Sequence, residues 1–319
     1  MLLVALLDYI VGRLLQMIPV IIGVSLIAFV SIHFVPGDPV EIMMHGRATP
    51  EALAAAHAKL GLDQPVLVQY WHFIVNAAQG DLGTSIIQNA NVSKIVGERM
   101  LPTIYLLVTS AFLAVVIAVP LSIVAARRAD QAADHVIRLA GIVGFAMPPF
   151  WIGILLMLLF GITLDWFPIS GYGRGFIDRL HHLFLPSLTI AIFLAPILLQ
   201  SLRAAMLEVM TSEYIEVARA KGLGPWRILV KHALPNALIP IVTVGSIQLA
   251  LLLSGAVVIE TVFAIQGVGR LLVDAVISRD YPLLQASILL ISAVFVLTNL
   301  VTDILYAFIN PQIRLEGGE

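Results

Sequence analysis

Long apolar runs dominate the pattern of hydrophobic and polar positions along the chain. Six runs contain no Asp, Glu, Lys or Arg: Leu14–Val35, Leu101–Ala126, Leu139–Leu164, Leu183–Leu202, Ala233–Ile259 and Tyr281–Thr302. A helix that crosses the hydrocarbon core of a bilayer needs about 20 mostly apolar residues. Barrel strands would be shorter and would alternate between apolar and polar residues. The pattern therefore predicts an all-α integral membrane protein with six transmembrane helices.

The longest polar segment, residues 36–100, is predicted to form helices outside the membrane after the first span. Thr49 fits the cap of a helix over "PEALAAAHAKL", and Gly61 fits its end. A second helix is predicted from Pro65 to Gln79, and an apolar stripe follows one of its faces. The stripe consists of Val66, Tyr70, Phe73, Ile74 and Ala77. We expect either a small external cap that packs on the spans or a helix that lies in the membrane surface.

Charge is scarce and unevenly distributed, which predicts the orientation in the membrane. Only 12% of the residues are charged, whereas soluble domains carry about 25%. Cations in short loops mark the cytoplasmic side of a membrane protein. Most of them fall on one side of the six runs: Arg13, Arg127, Arg128, Arg138, Arg203, Arg219, Lys221, Arg227, Lys231 and Arg314. Because the number of spans is even, both termini are expected on this cytoplasmic side.

The predicted domain order follows from the spans and their orientation. We expect a cytoplasmic N-terminus at 1–13, a first transmembrane helix at 14–35, a periplasmic segment at 36–100, a five-helix core at 101–309 and a cytoplasmic tail at 310–319. The core contains a cytoplasmic loop at 203–235. The first run is interpreted as a retained span, because it is too long for a signal peptide and no small-residue cleavage site follows it.

Several chemistries find no support in the sequence. The chain has no cysteine, which excludes disulfides and thiolate catalysis. It contains no G-x-x-x-x-G-K-[ST] phosphate loop, so it is not expected to bind ATP itself. The net charge of −2 gives no indication of nucleic-acid binding. His181–His182 is the one adjacent histidine pair, and no H-E-x-x-H motif occurs, so we expect neither a metal site nor a catalytic centre.

The stretch "EVARAKGLGPWRILVKHALP", Glu216–Pro235, is a compact charged island between two apolar runs. It predicts a helix, a tight break at Gly222 and Gly224, and a second helix whose first position is Pro225. Pro235 marks the start of the fifth span. An ordinary cytoplasmic loop would also be positively charged. Charge alone therefore does not distinguish such a loop from a functional motif, and the spacing of the residues has to decide.

The spacing within the island resembles the EAA loop of ABC importer permeases. The matching positions are Glu216, Ala218, Gly222, Leu234 and Pro235. Val217 and His232 depart from the family pattern, which has alanine and isoleucine there, and both departures leave the helix–break–helix design intact. By this resemblance the five positions form a coupling loop that fits a groove on an ATPase subunit.

The resemblance extends over nearly the whole chain. The segments that look like the first permease subunit of the dipeptide and oligopeptide ABC importers, the glutathione importers among them, are "FVPGDPVEIM", "LGLDQPVLVQYWHFIVNAAQGDLGTSI", "EYIEVARAKG", "GAVVIETVFAIQGVGRLLVDAVISRDYP" and "DILYAFINPQIR". The resemblance implies a type I importer permease fold in the bacterial inner membrane. It also implies a second homologous permease subunit, two ATPase subunits that bind ATP and Mg, and a periplasmic or lipid-anchored solute-binding protein.

Two function classes follow from these observations. The first is a non-enzymatic permease subunit of an ATP-driven peptide importer, with dipeptides and oligopeptides ahead of glutathione and nickel chelates as substrates. The second is a stand-alone secondary transporter or channel, which would be expected to carry charged relays inside its spans. Glu260 is our candidate for the transport pathway, and a position at the membrane interface is the alternative. By resemblance, "GVGRLL" near Gly267 is expected in an external re-entrant or gating loop, and Pro148–Pro149 and Pro196 are expected to kink their spans.

Overall fold

The computed structural model describes residues 2–33 and 49–309, which form a helical protein. The α-helices are α1 Leu2–His33, α2 Pro50–Leu60, α3 Val66–Ala78, α4 Val92–Arg127, α5 Ala132–Ala146, α6 Pro149–Leu156, α7 Phe176–Met210, α8 Glu213–Ala220, α9 Pro225–Ile228, α10 Leu234–Val262, α11 Val268–Ser278 and α12 Tyr281–Ile309. Two π-helical turns, Met157–Thr163 and Leu229–Ala233, follow α6 and α9. Within these described ranges, pairing of the β type is limited to an isolated bridge between Thr84 and Asn91. The all-α prediction is therefore confirmed.

Each of the six predicted apolar runs is largely helical where the structure describes it. Within the described residues, α4, α7 and the Tyr281–Val301 part of α12 are long and apolar enough to cross a membrane. Helices α1 and α10, of 32 and 29 residues, contain most of the first and fifth runs, although several of their side chains are not described. The end of the first run, the "FVPGDPVEIM" motif and the predicted tail 310–319 lie outside the described residues. The third run is divided between α5 and α6.

Two prolines break the third run. Helix α5 ends at Ala146, and α6 begins at Pro149 with its axis turned by 103°. A proline pushes the residue before it out of the helical region. Met147 precedes one proline and has ψ 138°, and Pro148 precedes the other and has ψ 131°. The kink predicted here is confirmed, and it is a complete break in the helix.

The chain divides into two compact units, and α7 lies at the centre of the unit that contains Ile104–Ile265. Of the most apolar part of α7, 67% is buried, compared with 22% for α4. Its buried residues include Leu194, Leu198 and Leu202. A helix that is apolar on all sides fits such an interior position. Pro196 lies inside the continuous helix α7, so a kink at that position stays a prediction.

The other unit contains Asp8–Thr103 and Gln266–Leu297 and includes the predicted external helices. Helix α2 ends at Leu60 and is followed by Gly61 at φ +68°, and α3 is followed by Gly80 at φ +84°. Both angles lie in the left-handed region that glycine adopts without a steric penalty. The two predicted helices and their glycine stops are confirmed.

The apolar stripe of α3 packs on α1 within this unit. Tyr70 is buried, and its hydroxyl lies 2.9 Å from the carbonyl oxygen of Ile22 and 2.8 Å from the hydroxyl of Ser25. The ring of Phe29 meets Tyr70 edge-on at 5.4 Å between centroids and lies 6.1 Å from Phe73. The stripe therefore forms the packed side of a cap on the first predicted span.

Asp280 connects the start of α12 to the loop before α4. Its buried carboxylate accepts hydrogen bonds from the Ser85 hydroxyl and from the backbone N–H groups of Ile86 (3.2 Å) and Leu283 (3.4 Å). Leu283 lies in the first turn of α12, where Asp280 satisfies a donor that the helix itself leaves unpaired. One carboxylate thereby holds two distant parts of the chain together.

The segment "GVGRLL" is helical, which corrects the expectation of a loop there. Gly267 caps α11, and the N–H of Val268, the first helical residue, donates to Thr103 Oγ1 at 2.9 Å. Leu271 and Ala275 are buried in a core shared with the start of α12. Periodic apolar positions after a capping glycine explain the helix. A re-entrant or gating role for the segment stays a prediction.

Candidate coupling site

The charged island folds as predicted, into short helices separated by a tight break. Helix α8 ends at Ala220, and Gly222 follows at φ +77°. Residues with a side chain are disfavoured in that region, whereas glycine adopts it readily. Gly224 (φ −65°, ψ 151°) then caps α9, whose first residue is Pro225. The N–H of the first residue of a helix has no partner within the helix. Proline, which has no N–H, can therefore begin α9 without the loss of a hydrogen bond.

A small apolar core lies under the break. Ile215 from α8 and Ile228 from α9 are buried, and Ala218 completes the cluster. The N–H of Leu223 donates to the carbonyl oxygen of Ala218 at 3.3 Å, which closes the end of α8. The matched position Ala218 therefore belongs to a core, and this explains why a small apolar side chain stands there.

A polar clip joins the two sides of the break. The side-chain amide of Asn236 donates to the Tyr214 hydroxyl (3.0 Å) and to the carbonyl oxygen of His232 (2.8 Å). The Tyr214 hydroxyl also donates to the His232 carbonyl oxygen, at 3.4 Å. Because Tyr214 lies on α8 and Asn236 on α10, the clip ties the first short helix to the start of the fifth run. Sequence reasoning did not find these residues.

The five matched positions occupy three different environments. Glu216 and Gly222 are exposed on α8 and just beyond its end, whereas Ala218 is buried. Leu234 and Pro235 are the first two residues of α10, where Leu234 is partly buried and Pro235 is exposed. The structure thus brings the first three positions together at the break and places the other two where the long helix begins.

The outer face of the island combines cations with exposed apolar side chains. Val217 and Trp226 are 54% and 56% exposed. Lys221 and Arg227 are also exposed beside them in the sequence. The guanidinium of Arg127, at the end of α4, lies 5.5 Å from the centre of the Trp226 ring, within the range of a cation–π contact. Exposed apolar groups with a charged rim are typical of a protein interaction surface.

A buried ion pair anchors α7, the helix that leads into the island. Arg203 Nε donates to Asp134 Oδ1 at 2.7 Å, and its terminal nitrogen donates to Oδ2 at 2.5 Å. Asp134 is fully buried in the first turn of α5 and also accepts the N–H of Asp130 at 3.0 Å. Such two-point contacts are among the strongest hydrogen bonds in proteins. Both residues lie outside the predicted spans, and hydrogen bonding from Arg203 holds the pKa of the Asp134 carboxyl below its ordinary value despite burial.

The pathway candidate Glu260 is fully buried near the end of α10. The preceding residue, Ile259, lines a cavity of about 410 Å³. Its other lining residues include Phe145, Phe193, Leu252 and the one amide side chain, Gln248. The cavity is therefore mainly apolar. Contact between Glu260 and a transported molecule stays a prediction.

The adjacent histidines bond to groups of the protein. Nε2 of His181 lies 2.9 Å from the carbonyl oxygen of Trp166, and Nδ1 of His182 lies 2.9 Å from that of Asp178. Over the part of the chain that the structure describes, no cluster of three or more His, Asp or Glu side chains could hold a metal ion. Contacts with nearby backbone carbonyl oxygens therefore hold both imidazole rings in place beside α7.

Comparison with known proteins gives matches over almost the whole chain. Residues 118–315 match the family described as "Binding-protein-dependent transport system inner membrane component", and residues 6–109 match its N-terminal counterpart. The glutathione transport system permease protein GsiC of Salmonella choleraesuis (strain SC-B67) is 41% identical over 97% of this chain and 99% of the relative. GsiC of Escherichia coli (strain K12) is 40% identical over the same shares.

The fold is also found among solved structures. An inward-facing conformation of the methionine ABC transporter MetNI aligns with a TM-score of 0.57 and 18% identity, over 68% of this chain and 96% of that one. The family is defined as part of a binding-protein-dependent system, which does not favour a stand-alone carrier or channel. The resemblance inferred from the sequence is confirmed: this chain belongs to the inner membrane permease components of binding-protein-dependent ABC importers.

Proposed function

We propose that this chain is one of two homologous permease subunits of an ATP-driven importer for short peptides. Dipeptides and oligopeptides are the leading substrates, and glutathione, itself a short peptide, falls within the class. Support for glutathione comes from the relatives of 40–41% identity, which are named for its transport. The transported molecule crosses the bacterial inner membrane in the inward direction.

In this proposal the other components supply what the chain lacks. Two ATPase subunits bind ATP and Mg on the cytoplasmic side, since this sequence contains no phosphate-binding loop. A periplasmic or lipid-anchored solute-binding protein delivers the peptide from outside and accounts for most of the substrate selectivity. The chain itself carries out no chemical reaction and alternates between outward-open and inward-open states.

The charged island is the feature that supports this proposal most directly, because its inner side is packed on a small core and its outer side is exposed. Ile215, Ala218 and Ile228 form its core, and the clip from Tyr214 to Asn236 ties it to α10. Closure of paired ATPase subunits is a rigid-body motion, and a braced helix can transmit such a motion without unfolding. Exposed ion pairs contribute only about 0–1 kcal/mol each, so the shape of the surface around Val217 and Trp226 supplies most of the affinity.

The proposal places the island and both termini in the cytoplasm. The cations of the short loops favour this orientation. Because Arg127 at the end of α4 contacts Trp226, the positively charged loop after the second run belongs to the same surface. An ATPase subunit that docks there would meet Arg127, Lys221 and Arg227 together.

Co-purification tests the assembly. The chain is tagged, extracted gently from its own membranes, and its partners are identified by mass spectrometry. We expect a second homologous permease and ATPase subunits. Trp226→Glu, on the island, should reduce recovery of the ATPase subunits severalfold. The matched control Trp166→Glu changes a tryptophan that is 59% exposed in the loop before α7 and should have no such effect.

Transport by the reconstituted complex tests the activity. Vesicles that contain the complex and its solute-binding protein should accumulate labelled glutathione or a dipeptide only when ATP is supplied on the ATPase side. Competition between the two peptides ranks them as substrates. Transport by the purified chain alone, without ATP, would contradict the proposal and would favour a stand-alone carrier.

A further inference from the structure

Helix α3 carries three distinct faces. Its sequence, VLVQYWHFIVNAA, contains no Asp, Glu, Lys or Arg. Successive residues of a helix are turned by about 100°, which divides the side chains into sectors. The first sector is the stripe that packs on α1. The second is polar and contains Gln69, His72 and Asn76, and the third is apolar and contains Leu67, Val68, Trp71 and Val75.

The stripe and Gln69 of the polar sector have partners within the protein. The stripe contacts α1 through Tyr70, as described above. In the polar sector the amide of Gln69 donates to the carbonyl oxygens of Gln64 (2.8 Å) and Leu62 (3.3 Å). His72 and Asn76 line a cavity of about 470 Å³ next to Gln69. Packing within the unit therefore accounts for the stripe and for Gln69, whereas His72 and Asn76 are exposed along the cavity.

The third sector lacks such a cover. Leu67 and Trp71 are 69% and 66% exposed, and Val68 is exposed beside them. An external helix in water carries charged or polar residues on its outward face. A helix that is apolar on both its inner and outer faces is instead suited to an apolar environment on both sides.

The contacts with α1 set the depth of α3 relative to the first span. Tyr70 contacts Ile22 and Ser25, and its ring meets Phe29. These three α1 residues lie inside the apolar run Leu14–Val35, not beyond its end. Ile22 and Ile27 of α1 are themselves exposed, as expected for the lipid-facing side of a span. The outward face of α3 therefore lies beside a surface that already faces hydrocarbon.

We propose that the outward face of α3, formed by Leu67, Val68, Trp71 and Val75, lies against lipid acyl chains. The helix then acts as a membrane-embedded brace along the first span. In hydrocarbon every polar group must find a partner within the protein. The Tyr70 and Ser25 hydroxyls meet this condition through each other and through the Ile22 carbonyl oxygen. This face holds no charged group that could recognise a lipid headgroup.

Site-directed fluorescence quenching tests the proposal on the intact complex. The chain has no native cysteine, so Leu67→Cys and Trp71→Cys each provide a single attachment point on this chain, which is labelled with a small fluorophore before it is assembled with its partners. The complex is reconstituted into phosphatidylcholine, or into phosphatidylcholine brominated along its acyl chains. Both probes should show blue-shifted emission, strong quenching by the brominated lipid and little quenching by aqueous iodide.

His72→Cys is the matched control, because it lies next to Trp71 but in the polar sector. Its probe should lose severalfold less fluorescence in the brominated lipid than the probes at 67 and 71. Strong iodide quenching at 67 and 71 would mean that this face meets water and would overturn the proposal. Probes at 67 and 71 that neither quencher reaches would mean that a partner protein covers the face, which would overturn it equally.

Discussion

Gly222 adopts φ +77°, and its N–H donates to the carbonyl oxygen of Arg219 at 2.9 Å. Proline fixes φ near −65° and has no N–H, so Gly222→Pro removes both the turn and this hydrogen bond. We expect the variant to reach the membrane in normal amounts, because the change lies outside the apolar runs, and to lose ATP-dependent uptake. Membrane fractionation with a transport assay measures the two effects separately.

Gly224 provides the matched control for this substitution. Its φ of −65° is the angle that proline requires. We expect Gly224→Pro to retain most of the uptake, although both variants place a proline in the same loop. Normal transport by Gly222→Pro would contradict a coupling role for the break, and equal loss in both variants would mean that the loop tolerates no proline at all.

The buried pair of Asp134 and Arg203 should behave differently when one partner or both are removed. A buried charge without its partner costs about 3–5 kcal/mol, whereas replacing both partners by apolar residues is often close to neutral. We expect Asp134→Leu to lower the thermal stability of the purified complex markedly. The double variant Asp134→Leu with Arg203→Met should recover most of that loss.

The pH dependence of stability provides an independent check on this pair. Since Arg203 lowers the pKa of Asp134 in the folded state, the stabilisation is fully present above the ordinary carboxyl pKa. It is lost as the pH falls through the lowered value. The double variant should therefore lose less stability in acid than the unmodified chain. If the Asp134→Leu variant is as stable as the unmodified chain, the pair contributes nothing measurable.

At the scale of an element, the break between α5 and α6 depends on two prolines that act separately. Pro148 forces Met147 out of the helical region, and Pro149 does the same to Pro148. We expect Pro148→Ala or Pro149→Ala alone to preserve the break, because the remaining proline still keeps one residue extended. The double variant should form a straighter helix.

Spin labels on Ile142→Cys and Leu155→Cys measure this angle. Both positions are exposed, and the absence of native cysteine avoids unwanted labelling. The distance between the labels should be unchanged in each single alanine variant and longer in the double variant. A double variant with the original distance would show that contacts between α6 and its neighbours, rather than the prolines, hold the 103° turn.

Local sequence signals predicted those parts of the fold whose causes are local. Thr49 and Gly61 bracket α2, Gly222 produces the left-handed turn, and Pro225 starts α9. Each effect acts through backbone angles or capping within a few residues, so the residue types alone reveal it. The helical conformation of the apolar runs was predictable for a similar reason, since a long uncharged apolar run is typical of a helix that crosses a membrane.

Features that depend on distant residues escaped prediction. Asp134 and Arg203 are 69 positions apart, and Asp280 and Ser85 are 195 apart. Only the packing of helices brings these pairs together, and nothing in their immediate sequence differs from that of a solvent-exposed charge. The helical conformation of "GVGRLL" was missed because the loop was expected from the family resemblance, although the apolar positions after Gly267 have helical spacing.

At the scale of the whole molecule, the distribution of charge predicts how the chain sits in the membrane. Arg127, at the end of α4, contacts Trp226 of the charged island, so the loop after the second run lies next to the island. Six spans return the chain to the side on which it began. Under our proposal we therefore expect the C-terminus on the same side of the membrane as the docked ATPase subunits.

A reporter enzyme that is active only in the periplasm tests this orientation. Fused after Glu319, it should stay inactive, because an even number of spans leaves the C-terminus in the cytoplasm. A matched fusion after Gly173, in the loop between the third and fourth runs, should be active, because that loop is predicted to be external. Activity after Glu319 would require an odd number of spans or an inverted chain. In an inverted chain the island would lie outside the cell, out of reach of any ATPase, and the coupling role proposed for Gly222 would fail with it.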